Sequence, residues 1–188
     1  MNIKKDFILP IIVLSFVCLF VSAALAVVNS ITSPVIIRAD AERAAAARKE
    51  LIPEADEFEI VRADGLPRSV TEVYKATNDT GFIFAVSVAA YGREPIRLLC
   101  GVDPYGRIIR AAVLAHSETQ GLGTPIFEEP HAGQYWGRDA VGIEEIAAIS
   151  GATITSIAFK KAMRDALTAF EIVTASMGGT HSGEETQE

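Results

Sequence analysis

Hydrophobic and polar positions divide the chain into regimes with different periods. Phe7 to Val28 reads FILPIIVLSFVCLFVSAALAVV, an apolar run interrupted only by Ser, Cys and one early Pro. About 20 such residues cross a hydrocarbon core as a helix, so the run predicts a transmembrane helix over residues 7–28. A cleaved signal peptide is the competing reading, because Lys4 and Lys5 form a basic start and Ala24-Leu25-Ala26 resembles a small-residue cleavage site. Signal-peptide apolar regions reach only about 7–15 residues, which favours a retained anchor. Either way the remainder is exported. Lys4 and Lys5 hold residues 1–6 in the cytoplasm and everything after Asn29 lies on the outer face of the membrane, although Arg38, Arg43 and Arg48 weaken the charge asymmetry.

Beyond the span, Ala39 to Leu51 (ADAERAAAARKEL) is rich in good helix formers, and residues 29–50 read as a helical linker stopped by Pro53. The period then changes. Phe58, Ile60 and Val61 predict the start of a half-buried strand, and apolar positions alternate with small or polar ones from Ser69 to Ala76 and from Gly81 to Ala90. In the latter, Phe82, Phe84, Val86 and Val88 share a face. Asp103-Pro104-Tyr105-Gly106 separates Ile96–Val102 from Arg107–Leu114 and predicts an antiparallel hairpin, because Pro fixes one turn dihedral and Gly accepts a positive one. From Ile154 to about Ser176, the residues Ile157, Met163, Ala166, Leu167, Phe170 and Val173 recur at helical spacing. Strands followed by a packing helix, without alternating β-α-β units, give an α+β class with an antiparallel sheet. The domain is expected over residues 51–177, with residues 178–188 a disordered acidic tail.

Composition narrows the options further. The 188 residues leave room for one domain after the span, and a net charge of −7 without any basic run excludes nucleic acid as a partner. Cys18 and Cys100 lie far apart, the first inside the apolar run, so no disulfide framework or CxxC metal site is available. His131 and His181 have no neighbouring ligand set.

Two segments spend residues that packing does not require. His116 to Gly123 (HSETQGLG) follows the hairpin's return strand, and Gly121 and Gly123 let a ligand approach the main chain; a tight turn leaving the strand is the plainer alternative. Ser150 to Ser156 (SGATITS) sets hydroxyl side chains and a glycine before the last helix. Ser150 or Thr153 as an ordinary helix cap is one reading. An exposed Thr153 hydroxyl beside a helix N-terminus that favours phosphate is the other.

Taken together, an ETxGLG loop, about thirty residues, then SGATxTS opening a C-terminal helix behind a membrane span resembles RnfG, the flavin-binding G component of the Rnf electron-transport complex. The likeness extends through Leu51–Phe58 (LIPEADEF) and the DPYGRI hairpin, nearly the whole chain. NqrC, the corresponding component of the sodium-pumping NADH:quinone oxidoreductase, shares both motifs in usually longer chains. The resemblance implies FMN bound covalently through a phosphoester on Thr153, placed by a flavin transferase that consumes FAD. It implies that Glu118, Thr119, Leu122 and Gly123 line one wall of the flavin site and Ser150, Gly151 and Ala152 the other. Two positions depart from the family pattern: Gln120 replaces a common proline, and Ala147 replaces a typical acidic residue, with Glu144 and Glu145 nearby at a different offset.

The implied protein is a single-pass component of the cytoplasmic membrane that relays electrons. It belongs to a chain coupling ferredoxin and nicotinamide chemistry to sodium or proton movement, with the A, B, C, D and E components of Rnf as partners. Other readings remain: an anchored module binding dissociable FMN, or a purely structural component. His116 as a phosphate contact, Tyr135 and Trp136 as ring neighbours, and Lys160 and Lys161 as phosphate attractors are weaker candidates, each with a packing or surface role as its alternative.

Overall fold

The computed structural model describes residues 3–179, and the acidic stretch after them lies outside the described residues. The chain falls into two compact units, residues 1–42 and 43–188. A single α-helix, α1, runs Ile3–Leu51 and continues through Pro34. From Leu9 onward it is long and apolar enough to cross a bilayer, and Phe16, Leu19, Phe20 and Leu25 all stand exposed, as suits side chains whose solvent is lipid.

The second unit is built on a five-stranded antiparallel meander in the order β1-β2-β3-β4-β5. The strands are β1 (Phe58–Val61), β2 (Val70–Ala76), β3 (Phe82–Val88), β4 (Ile96–Val102) and β5 (Ile108–Ala115). Asp103 makes the β4–β5 turn: its Oδ1 accepts the N–H groups of Tyr105 and Arg107, both at 2.9 Å, and Gly106 takes φ +79°. Phe82, Phe84, Val86 and Val88 do share one face, with Leu98 and Cys100 of β4 beside them. Burial pushes the Cys100 thiol up to about 12, so it behaves as a small apolar group against Met163 rather than a nucleophile.

The last helix, α3 (Thr153–Gly179), covers that face with Met163, Ala166, Leu167, Phe170 and Val173. Each large side chain so buried contributes about 1.5–3 kcal/mol, which makes the helix–sheet layer the main source of cohesion. Ile157 differs from the sequence expectation. It is 59 % exposed, because at about 100° per residue it falls on the side of α3 opposite Ala166 and Phe170, together with the exposed Thr153, Lys161 and Arg164. The opposite face of the sheet carries a smaller cluster of Leu51, Ile52, Ala55, Ala76, Ile83 and Leu99, contributed in part by the end of α1. Arg48 stacks 4.4 Å above the Tyr74 ring on that side.

A short helix, α2 (Glu129–Ala132), and single 3-10 turns bridge β5 to α3. They carry Phe127 and Tyr135, whose rings lie 5.9 Å and 5.2 Å from Phe159 of α3. Because β3 ends, β4 begins and β5 ends at the same edge of the meander, the chain segments after β3 and after β5 meet the first turn of α3 there.

Candidate functional site

At that edge three short segments enclose a cleft of about 440 Å³. The β3–β4 connection supplies Tyr91, the glycine loop supplies Glu118, Thr119, Leu122 and Gly123, and the start of α3 supplies Gly151 through Thr155. Seven of the eight residues assigned from the sequence therefore come together, the exception being Ser150, which sits exposed one position outside the lining. Tyr91, Ile154 and Thr155 join them without having been singled out. Thr155 was visible inside SGATITS, but its role depends on a partner 37 residues away that no local pattern reveals.

That partner is Glu118, which is 8 % exposed. Its Oε2 accepts the Thr155 hydroxyl at 2.6 Å and its Oε1 accepts the Gly92 N–H at 2.8 Å. One carboxylate thus ties the β3–β4 connection, the glycine loop and α3 to each other, with the strength of hydrogen bonds to an ionised acceptor. The loop folds back on itself. The N–H groups of Leu122 and Gly123 both donate to the Thr119 carbonyl, at 3.1 and 2.9 Å, and Gly121 at φ +79° donates to the Thr124 hydroxyl at 3.0 Å. Ser117 locks the neighbouring turn by accepting the Glu94 N–H at 2.8 Å.

Close packing here explains a glycine outside both motifs. A Cβ on Gly92 would lie 2.4 Å from the Ser117 Oγ and 2.7 Å from its carbonyl oxygen. Backbone cannot yield as a flexible side chain does, so Gly92→Ala is expected to cost about 1–3 kcal/mol through overpacking. Urea unfolding measures this; an unchanged midpoint would mean the two segments separate freely.

At the start of α3 neither Ser150 nor Thr153 takes the N-cap position. The Ser156 N–H donates to the Ala152 carbonyl at 2.9 Å, so Ala152 occupies the N-cap position with no side chain able to cap. Ser156 Oγ instead accepts the Ile149 N–H at 3.0 Å, closing the loop before the helix. Thr155 is committed to Glu118. Thr153 is exposed at the first helical position, and among the described residues nothing hydrogen-bonds its hydroxyl. Among the described residues no side chain caps the backbone N–H groups of Thr153, Ile154 and Thr155, which lie at the positive end of the helix macrodipole. Gly151 holds the entry to this turn at φ +86°, with open space where a Cβ would stand.

The remaining candidates lie away from the cleft. His116 is exposed, accepts the Glu118 N–H at Nδ1 (3.3 Å) and packs 4.9 Å from Phe127. Tyr135 is a core side chain, and Trp136 donates to Glu129 at 3.3 Å. Lys160 donates to the Glu144 carbonyl at 3.0 Å, while Lys161 pairs with Asp165. Glu144 pairs with Arg164 and Glu145 with Arg138 at the surface, and Ala147 is exposed. His131 is buried; burial holds its pKa below the ordinary imidazole value, and its Nε2 has no partner among the described residues. No group of three metal-ligating side chains occurs among the described residues.

Residues 91–168 match the model of the FMN-binding domain family, a span that begins at Tyr91 and ends on α3. The chain is 28 % identical over 175 residues to the G component of the proton-translocating ferredoxin:NAD(+) oxidoreductase complex of Clostridium ljungdahlii, covering 88 % of this chain and 91 % of that one. It is 29 % identical over 184 residues to the G component of the ion-translocating oxidoreductase complex of Methanosarcina acetivorans, covering 89 % and 96 %. The counterpart from Stutzerimonas stutzeri is 32 % identical over 124 residues, 60 % of this chain and 53 % of that protein.

Proposed function

We propose that this chain, which resembles the G component of Rnf-type ion-translocating oxidoreductase complexes, is an electron-transfer protein carrying FMN as a phosphoester on Thr153. The observation that carries the reading is the Thr153 hydroxyl, exposed and unbonded among the described residues at an uncapped helix start, inside the segment that matches the FMN-binding family.

The residues present fit the cofactor. The cleft's volume falls within the range of about 300–1,000 Å³ usual for small-molecule sites. Tyr91, Leu122 and Ile154 supply apolar and aromatic lining for a ring system, and the free N–H groups at the start of α3 suit a phosphate. Bound there, FMN supplies one- and two-electron redox chemistry. The protein's part is positional. Thr153 Oγ would hold the phosphate end, and the glycine loop and Tyr91 would border the ring.

Attachment needs a nucleophile that a second enzyme can reach. Thr153 Oγ attacks the FMN-side phosphorus of FAD, the new O–P ester forms as the pyrophosphate bond breaks, and AMP leaves with the electron pair. The hydroxyl proton passes to a base of the flavin transferase. Gly151 and Ala152, small residues before the threonine, leave room for that approach.

The span over residues 7–28, with Lys4 and Lys5 on the cytoplasmic side, puts the flavin domain on the outer face of the cytoplasmic membrane in this reading. Its partners are then the A, B, C, D and E components of an Rnf complex coupling ferredoxin and nicotinamide redox chemistry to Na+ or H+ movement, with the transferase a transient one. Peptide mass spectrometry of the protein from its native membrane tests the attachment. One FMN phosphoester is expected on the peptide containing Thr153. An unmodified peptide, in a cell that flavinylates other targets, sinks the covalent carrier and leaves dissociable FMN or a structural role.

A further inference from the structure

Glu118 is a buried carboxylate in a cleft meant for an anion, and the carrier role alone does not account for it. Its bond to the Thr155 hydroxyl sets it against the first turn of α3, since Thr155 is the third residue of that helix. A helix N-terminus carries roughly half a positive charge, and one carboxylate more than cancels it. Among the described residues the cleft lining contains no Lys, Arg or His to restore the balance. Sites that hold a free phosphomonoester ordinarily provide such cations, with Arg giving bidentate bonds. Every negative charge a ligand brings here therefore meets an existing one, in a pocket where charges are screened less than in water.

The geometry points to Glu118 as a charge selector. It tolerates the flavin as the singly charged phosphodiester formed on Thr153 and rejects the free cofactor, whose phosphomonoester carries about −1.5 to −2 near neutral pH. Covalent attachment removes one of those charges and fixes the remaining phosphate at the helix end, so the same residue that excludes loose FMN leaves the attached form in place. The buried bonds of Glu118 keep the selector from swinging out: moving it away would strand the Gly92 N–H and the Thr155 hydroxyl. This inference rests on the FMN reading of the cleft.

The test uses the full-length chain in detergent, made in cells without a flavin transferase so that the Thr153 hydroxyl stays free. Dissociation constants for riboflavin and for FMN are measured at pH 8 by flavin fluorescence, in the wild type and in Glu118→Gln. Glutamine preserves the clamp, because its carbonyl still accepts from Gly92 and its amide donates to the Thr155 hydroxyl, and only the charge is lost. The ratio of the FMN constant to the riboflavin constant is expected to fall about tenfold or more in the variant. Using a ratio within each protein separates charge selection from any general loosening of the cleft. An unchanged or raised ratio overturns the selector. So does the absence of binding of either flavin to either protein, because removing the charge is expected to make FMN binding measurable. Covalent attachment is judged independently from the mass of the Thr153 peptide, so each idea can fail without the other.

Discussion

Thr153→Val is expected to give a colourless protein with an intact fold. Valine keeps the branched shape at the first position of α3 and removes only the hydroxyl, which makes no hydrogen bond among the described residues. The cost to stability should stay within about 0.5 kcal/mol, as for other surface changes. Covalent flavin should disappear entirely, since the remaining hydroxyls of the motif are otherwise placed. Thr155 donates to Glu118, Ser156 accepts from Ile149, and Ser150 lies outside the cleft. In-gel flavin fluorescence after denaturation, on protein co-produced with a transferase, reads the result directly. Thr153→Ser should retain part of the signal because it keeps a hydroxyl at the same place. Fluorescence surviving in the valine variant would move the attachment to another residue.

Phe159→Ala is expected to have the largest effect on stability. Phe159 is 1 % exposed, with its ring nearly perpendicular to Tyr135 (85°) and tilted against Phe127, which in turn meets His116. The ring therefore joins α3 to the segment that follows the glycine loop. Truncation of a buried Phe costs about 3–5 kcal/mol through lost transfer energy and a residual cavity. That is a large part of the roughly 5–15 kcal/mol available to a domain. Thermal unfolding should move down by on the order of 10 °C or more. The cleft should also loosen, because α3 loses its ring contacts with the segment that follows the glycine loop. A shift of only a degree or two would mean that neighbouring side chains collapse into the space and that the walls are held chiefly by the Glu118 clamp.

The elements most legible in the sequence were those whose period is set by burial on one side only. Phe82, Phe84, Val86 and Val88 alternate because one face of β3 meets α3, and the DPYG turn names its own geometry. Ile157 does not belong to the stripe predicted for it: at about 100° per residue it lies on the far side of α3 from Ala166 and Phe170, and it is exposed. At the site, glycines and hydroxyls marked the right segments, yet the pairing of Glu118 with Thr155 and Gly92 spans two connections and leaves no local period. Tyr91 was hidden for a similar reason. An aromatic residue in a turn reads as surface until the strands on either side bring it opposite a helix start. The capping question was undecidable from residue types, because Ser150, Thr153, Thr155 and Ser156 are all competent caps; the structure leaves the N-cap position to Ala152.

The order in which the cleft's walls occur along the chain sets when the cleft can exist. Tyr91 and Gly92 leave the ribosome first, the glycine loop next, and the threonine with its helix last, at roughly 5–20 residues per second. The meander can pair strand by strand as it appears, since every neighbour in the sheet is also a neighbour in sequence. The Thr153 hydroxyl gains its setting only when α3 packs on the finished sheet. Under the proposed attachment, a transferase that reads this setting, rather than a bare peptide, would act only on chains whose sheet and α3 have already packed together.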